Sequence, residues 1–265
     1  MADSAAMNEV KAAIEALRGR HQRGEVSGDE LFRVWKGVPN KLIPTPTAFR
    51  TYRGEYATEL ERAEARRQGR AALDQVTDDA VRELCLALAA EVEVRQELAR
   101  IRQQAGIAPR RQPGPWNIAF DSNIEQLPKI VQAIAQICCG AGILPQPRVT
   151  AVPAGALLDG ANTDMIAAIW GAQPDYVLDR AVDAQSIAAH AEQADGGLLF
   201  IHDFHRVTPD IASEIADTLV DAMEFRQETL AVAIAADGEL LRRMRALSPG
   251  FAHRIHAIIE RPENA

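Results

Sequence analysis

The chain has 265 residues, of which 47% are hydrophobic and 25% charged, a globular composition rather than a fibrous or disordered one. Charges break every apolar run well short of the ~20 residues that a membrane span needs, and Met1-Ala2-Asp3-Ser4 opens without the basic-then-apolar pattern of a secretory leader, so the expectation is a cytoplasmic protein with no membrane partner. Cys85, Cys138 and Cys139 form no repeated CxxC pair, which argues against a disulfide framework and a structural zinc site, and the net charge of −8 argues against broad nucleic-acid binding.

Composition divides the chain near residue 115. Before it, Ala, Arg, Glu and Leu dominate and apolar residues recur at helical spacing. Met7–Leu17 reads as a helix, and Ser27–Val34 opens with a capping box in which Glu30 follows Ser27 by three. Pro39, Pro44 and Pro46 mark an extended connection. A helix is predicted over Glu55–Leu73, with Glu and Arg alternating on a solvated face. Thr77 is the predicted N-cap of a further helix to about Gln103, with Asp78 and Asp79 favouring its positive end. Pro109-Arg110-Arg111-Gln112-Pro113-Gly114-Pro115 reads as a linker, its arginine pair as part of a solvated hinge.

Beyond residue 115 short apolar segments alternate with helical ones. Trp116–Phe120, Arg148–Val152, Leu198–Ile201, Leu230–Ala235 and His256–Ile259 have strand length. Ile130–Cys139, Val182–Ala194, Ile211–Phe225 and Gly238–Leu247 have helical periodicity between them. This alternation predicts an α/β fold with a parallel sheet covered on both faces, and the unbroken run Leu198-Leu199-Phe200-Ile201 suits a strand buried on both.

Gly196-Gly197-Leu198-Leu199-Phe200-Ile201-His202-Asp203 has the form of a Walker B strand: a turn, four apolar residues, then polar groups at the end where open parallel sheets bind ligands. Leu219-Val220-Asp221-Ala222-Met223-Glu224 follows, then the strand Leu230–Ala235, then Ser248-Pro249-Gly250-Phe251-Ala252-His253-Arg254-Ile255. This order and spacing resemble the CbxX/CfqX (CbbX, red-type Rubisco activase-like) family of AAA+ ATPases over roughly residues 74–259. The resemblance implies a P-loop-type parallel five-stranded sheet between helices. Residues 1–73 would be a helical N-terminal region and 74–265 the AAA+-like domain. The chain stops at Glu263-Asn264-Ala265, about where the family's C-terminal lid begins, so no lid domain is expected.

The departures from the family pattern bear on activity. Where the family has a phosphate loop of the form Gly-Asn-Pro-Gly-Thr-Gly-Lys-Thr, this chain has Phe120-Asp121-Ser122-Asn123-Ile124-Glu125-Gln126-Leu127-Pro128-Lys129, with no glycine. Ile124, Glu125 and Leu127 bring β-carbons where open backbone is needed, Pro128 lacks an N–H, and the Asp121 and Glu125 carboxylates repel a triphosphate. Lys129 stands within one or two positions of the family lysine. His202 matches the magnesium-orienting aspartate and Asp203, one methylene too short, the catalytic glutamate. The degenerate nucleotide site is therefore read as Ser122, Lys129, His202 and Asp203. Arg254 matches the family's arginine finger, which acts on a neighbouring subunit, and Trp170-Gly171 is a candidate pore-loop or partner contact.

Other features have plainer readings. His202 and His205 sit at a strand end but point to opposite faces unless the chain turns between them, so no metal site is assigned. Cys138-Cys139 reads as small apolar packing before Gly140 as a C-cap. The expectation is thus a catalytically degenerate AAA+-like pseudo-ATPase, without ATP or magnesium as cofactor. It would act as scaffold, adaptor or regulatory subunit toward a protein partner, among which a catalytically competent AAA+ subunit is a candidate. The rival readings are an atypical active ATPase or chaperone using Lys129, Asp203 and Arg254, and a partner-binding N-terminal surface around Leu31, Phe32, Val34 and Trp35.

Overall fold

The structure, a computed structural model, describes residues 54–105, 116–159, 180–226 and 229–260. Its strands are β1 (Asn117–Asp121), β2 (Val149–Pro153), β3 (Leu198–His202), β4 (Ala231–Ala236) and β5 (Ile255–Ile259). Its helices are α1 (Glu59–Leu73), α2 (Asp79–Gln104), α3 (Leu127–Gly140), α4 (Ala184–Gln193), α5 (Pro209–Phe225), α6 (Gly238–Leu247) and α7 (Pro249–Arg254). The strands form one sheet in the order β2-β3-β4-β1-β5, and every neighbouring pair is parallel. All five predicted strands are present, with ends displaced by a residue or so. Met7–Leu17, Ser27–Val34 with Trp35, the proline-rich stretch after it and the residue 109–115 linker lie outside the described residues.

Side-chain alternation divides the core between the two faces of the sheet. Ile118, Phe120, Leu198, Phe200, Ala231, Ala233 and Ala235 pack beneath α1, α2 and α3. Ala119, Leu199, Ile201, Val232, Ile234 and Ala236 pack beneath α4 to α7. With apolar layers on both sides, β3 and β4 need continuous apolar sequence, which explains why they were legible. Small alanines alternate with branched residues in β4, leaving room for the bulky Phe120 and Phe200 beside it.

Helix α1 belongs to this core. It starts at a capping box in which Thr58 accepts from the Glu61 N–H and the Glu61 carboxylate accepts from the Thr58 N–H. Gly69 lies against α3, where a β-carbon would come within 2.7 Å of the Ala133 carbonyl oxygen and 2.8 Å of Ile137 Cγ1. Gly140 answers from α3, where a β-carbon would meet Arg66 Cβ at 2.7 Å and the Arg62 carbonyl oxygen at 2.9 Å. Gly140 is thus a contact residue and not the predicted C-cap, a position held by Ala141. Leu73 and Ala57 are buried in the same cluster as Phe120, so residues 57–73 pack continuously with the sheet although the sequence reading sets them in the N-terminal region.

The cap of α2 is also displaced from its predicted place. Asp78, not Thr77, accepts the Ala80 and Val81 N–H groups, each at 3.1 Å. An aspartate there adds a negative charge at the positive end of the helix, which a threonine does not. Among the described residues no helix is long and apolar enough to cross a membrane.

Candidate functional site at the C-terminal edge of the sheet

The segments named in the sequence reading converge in space. Asp121 pairs with Ala236 at the ends of β1 and β4, and Ile201 pairs with Ile234 one residue before His202. The loop after β1, the end of β3 and the end of β4 therefore open on one edge, with β4 between the other two. This brings Ser122, Lys129, His202 and Asp203 to that edge. Trp170 and Gly171 lie outside the described residues.

The loop after β1 is closed on itself. Asp121 Oδ1 accepts the Asn123 backbone N–H at 2.9 Å and its Nδ2 at 3.0 Å. The Ile124 N–H donates to the Asp121 carbonyl oxygen at 3.1 Å, and the Ser122 N–H to the Ala236 carbonyl oxygen at 3.0 Å. The Lys129 N–H donates to the Gln126 carbonyl oxygen at 2.9 Å, and Pro128 has no N–H to offer. Ile124 and Leu127 are buried and pin the loop to the core. A phosphate loop needs its N–H groups turned outward together; here the Ser122, Asn123, Ile124 and Lys129 donors are bonded within the protein.

Gln126 stands at the head of α3 with φ 60° and ψ 19°, in the left-handed region, and its side chain makes no cap bond. The loop thus keeps a left-handed residue but fills it with a side chain instead of a glycine, a strain of about 1 kcal/mol or more. Ser122 and Lys129 are exposed, with Lys129 in the first turn of α3.

At the end of β3, His202 Nδ1 lies 3.1 Å from Asp203 Oδ2. Asp203 has φ 60°, and a short 3-10 turn over Phe204–Arg206 follows, anchored by the buried Phe204. The chain does turn between His202 and His205, but His205 Nε2 is occupied by the Arg206 Nε–H at 3.2 Å. Among the described residues no three His, Cys, Asp or Glu side chains gather as a metal-binding group. At the end of β4, Asp237 caps α6 by accepting the Leu240 N–H at 2.9 Å. Asp121, Glu125, Asp203 and Asp237 outnumber the cations Lys129 and Arg206 in these loops and give them a negative character.

Arg254 lies at the other end of the sheet. It directly precedes β5, whose first residue, Ile255, pairs with Asn117, the first residue of β1. Its guanidinium donates to Glu224 Oε2 at 2.8 Å and to the Gly250 carbonyl oxygen at 3.0 Å. In the sequence Glu224 only closes the segment Leu219–Glu224, and no local pattern pairs it with Arg254. Asn117, which bonds the Arg254 carbonyl oxygen at 3.1 Å, was likewise missed, though a polar residue opening an apolar strand was a signal.

Cys138 and Cys139 are buried in the core on α3. Burial pushes the Cys138 thiol up to about 12, with its neighbour Cys139 adding to the shift, and raises Cys139 as well. Both therefore stay protonated and unreactive at neutral pH. No protein-family model matches the chain, and no curated protein matches it.

Proposed function

We propose that the chain is a degenerate AAA+-like pseudo-ATPase that serves as scaffold, adaptor or regulatory subunit in a protein assembly. The observation that carries this reading is the loop after β1, whose Ser122, Asn123, Ile124 and Lys129 N–H groups are bonded within the protein. A triphosphate arriving there meets carboxylates and few free donors, so the ancestral ligand is lost while the edge keeps its architecture. Convergence of the β1 loop with the ends of β3 and β4 supports the resemblance, because segments scattered along the sequence need not have met. The position of Arg254 supports the assembly role. It is at the opposite end of the sheet from His202 and Asp203, so it has no part in its own chain's site and would serve another subunit's.

Titration calorimetry with ATP and ADP, with and without magnesium, tests the reading. The expected result is no binding heat up to ~1 mM nucleotide, which corresponds to less than about 4 kcal/mol of binding free energy. Micromolar binding would instead establish that the loop opens to cradle phosphate, and the atypical-ATPase reading would replace this one.

A further inference from the structure

Helix α1 buries one side and leaves apolar residues on the other. Ala65, Gly69 and Leu73 are buried against the core. Leu60, Ala63 and Ala71, which the helical repeat sets on the opposite side, are exposed. Leu60 is 80% exposed, the highest value of any large apolar side chain among the described residues, and Tyr56, just before the helix, is 55% exposed. Helix α2 runs alongside, where Glu93 pairs with Arg66 and Arg70. Its Ala87, Ala90 and Val94 are exposed as well, Val94 to 59%. A single exposed apolar residue needs no explanation, but a group of them on two adjoining helices marks a surface that something covers.

The charge of this surface points to its occupant. Glu55 and Glu59 place exposed carboxylates beside Tyr56 and Leu60 in the sequence. A complementary segment stands immediately upstream in the same chain. Residues 31–53 carry Arg33, Lys36, Lys41, Arg50 and Arg53 and no Asp or Glu, in a chain whose net charge is −8. Leu31, Phe32, Val34, Trp35 and Phe49 supply apolar side chains among these cations. We propose that residues 31–53 seat as a strap on the outward side of α1 and the adjoining turns of α2, with apolar residues on Leu60 and Val94 and cations toward Glu55 and Glu59. The segment joins the described chain at Gly54, six residues before Leu60, and ten extended residues span about 33 Å, so its reach is ample. The tether also gives an effective concentration of millimolar order, so a weak contact is enough. A second copy fits the surface poorly, because a two-fold contact would set the Glu55 and Glu59 carboxylates against their own copies. The strap is independent of the nucleotide-site reading.

Cleavage of the full chain by a lysine-specific protease tests this, because its only lysines are Lys11, Lys36, Lys41 and Lys129. Lys36 and Lys41 report the strap, and Lys129, in the first turn of α3, reports opening of the body. Attack follows the fraction of time a segment is open. The double variant Leu60→Glu/Val94→Glu should therefore speed cleavage after Lys36 and Lys41 at least ~10-fold and leave that after Lys129 unchanged. Its circular dichroism should match the parent, because both positions are exposed. Trp35→Glu alters the strap and not the surface beneath it, and should give the same result, which guards against a folding defect in the first variant. Parent rates after Lys36 and Lys41 in both variants, or acceleration as large after Lys129, would overturn the proposal. Protection of Lys36 and Lys41 that disappears on dilution from ~50 to ~0.5 µM would overturn it too, by assigning the cover to a neighbouring chain.

Discussion

Asn117 Nδ2 donates to the Arg254 carbonyl oxygen at 3.1 Å while its Oδ1 accepts the Val232 N–H at 2.9 Å. One buried amide at the start of β1 thus ties that strand to β4 on one side and to the start of β5 on the other. It does so where the β1–β5 ladder shifts register, between Asn117 and Ile118. At such a shift the strand backbones no longer satisfy each other, and the side chain supplies the missing partners. The backbone of Arg254, the residue proposed to serve another subunit, is therefore held by the strand beside β5.

Asn117→Ala should cost about 2–4 kcal/mol, because it strands the Val232 N–H and the Arg254 carbonyl together in a buried setting. Asn117→Asp keeps the acceptor toward Val232 but loses the donor and buries a carboxylate, so it should be no milder. Urea denaturation followed by circular dichroism reads both. A loss under 0.5 kcal/mol (about the size of a surface substitution) for the alanine variant would mean that water replaces the amide.

Arg254→Ala should scarcely affect the isolated chain. Its pair with Glu224 has side chains 30% and 39% exposed, so the stability at stake is no more than about 1 kcal/mol after solvent screening. The same substitution should lower the ATPase rate of a catalytically competent AAA+ subunit bound to the chain. Glu224→Gln should act in the opposite sense by loosening the Arg254 guanidinium from helix α5 of the same chain. Equal ATPase rates for all three proteins in the reconstituted mixture would remove Arg254 from the mechanism.

These two residues also mark what was legible in the sequence. The strands were, since Leu198–Ile201 and Ala231–Ala236 are apolar on both faces and bounded by turns. The start of α1 was available too: Thr58 and Glu61 stand three apart as a capping box, yet the periodicity alone set the start at Glu55. The order of the strands, the Arg254–Glu224 pair and the Asn117 bridges depend on contacts across 30 to 137 positions, which no local pattern encodes. The left-handed Gln126 carries no local signal either, because the residue that usually announces that conformation is glycine. Helix α2 has Val81, Cys85, Leu88 and Val92 buried and Leu84, Val94, Leu98 and Ile101 exposed, so a single periodicity reading cannot say which of its apolar faces is buried.

Gly69 and Gly140 allow α1 and α3 to approach closely, and the cost of filling either position is predictable. A methyl group at Gly69 would press on the Ala133 carbonyl oxygen at 2.7 Å, which is helix backbone and cannot move aside as a side chain tip does. Gly69→Ala should therefore destabilise by about 1–3 kcal/mol, although alanine is the better helix former by about 1 kcal/mol. Gly140→Ala should behave alike, since it meets the Arg62 carbonyl oxygen at 2.9 Å and Arg66 Cβ at 2.7 Å. If either alanine variant melts higher than the parent, the helices have room to separate and the close contact is not a requirement of the fold.

His256 gives the fold an acid-sensitive joint. Its Nδ1 accepts the Asn117 N–H at 3.2 Å, its ring lies 5.4 Å from that of Trp116, and Arg95 covers the same tryptophan at 4.8 Å. Burial, and then the nearby Arg95 charge, hold the His256 pKa below its ordinary value. The unfolded chain therefore binds a proton at a pH where the folded chain does not, and stability rises with pH across that window. The contribution is complete above the unfolded value of about 6.5 and is lost as pH falls from there through the lowered folded value. Protonation also removes the lone pair that accepts the Asn117 N–H, so the joint loosens beside the register shift. Burial lowers the His190 pKa as well, which adds to the same slope. Urea titrations at pH values between 7.5 and 5 should show falling stability, and His256→Gln, which cannot titrate, should flatten part of that fall. An unchanged slope in the variant would place the acid sensitivity elsewhere, with His190 the first residue to replace.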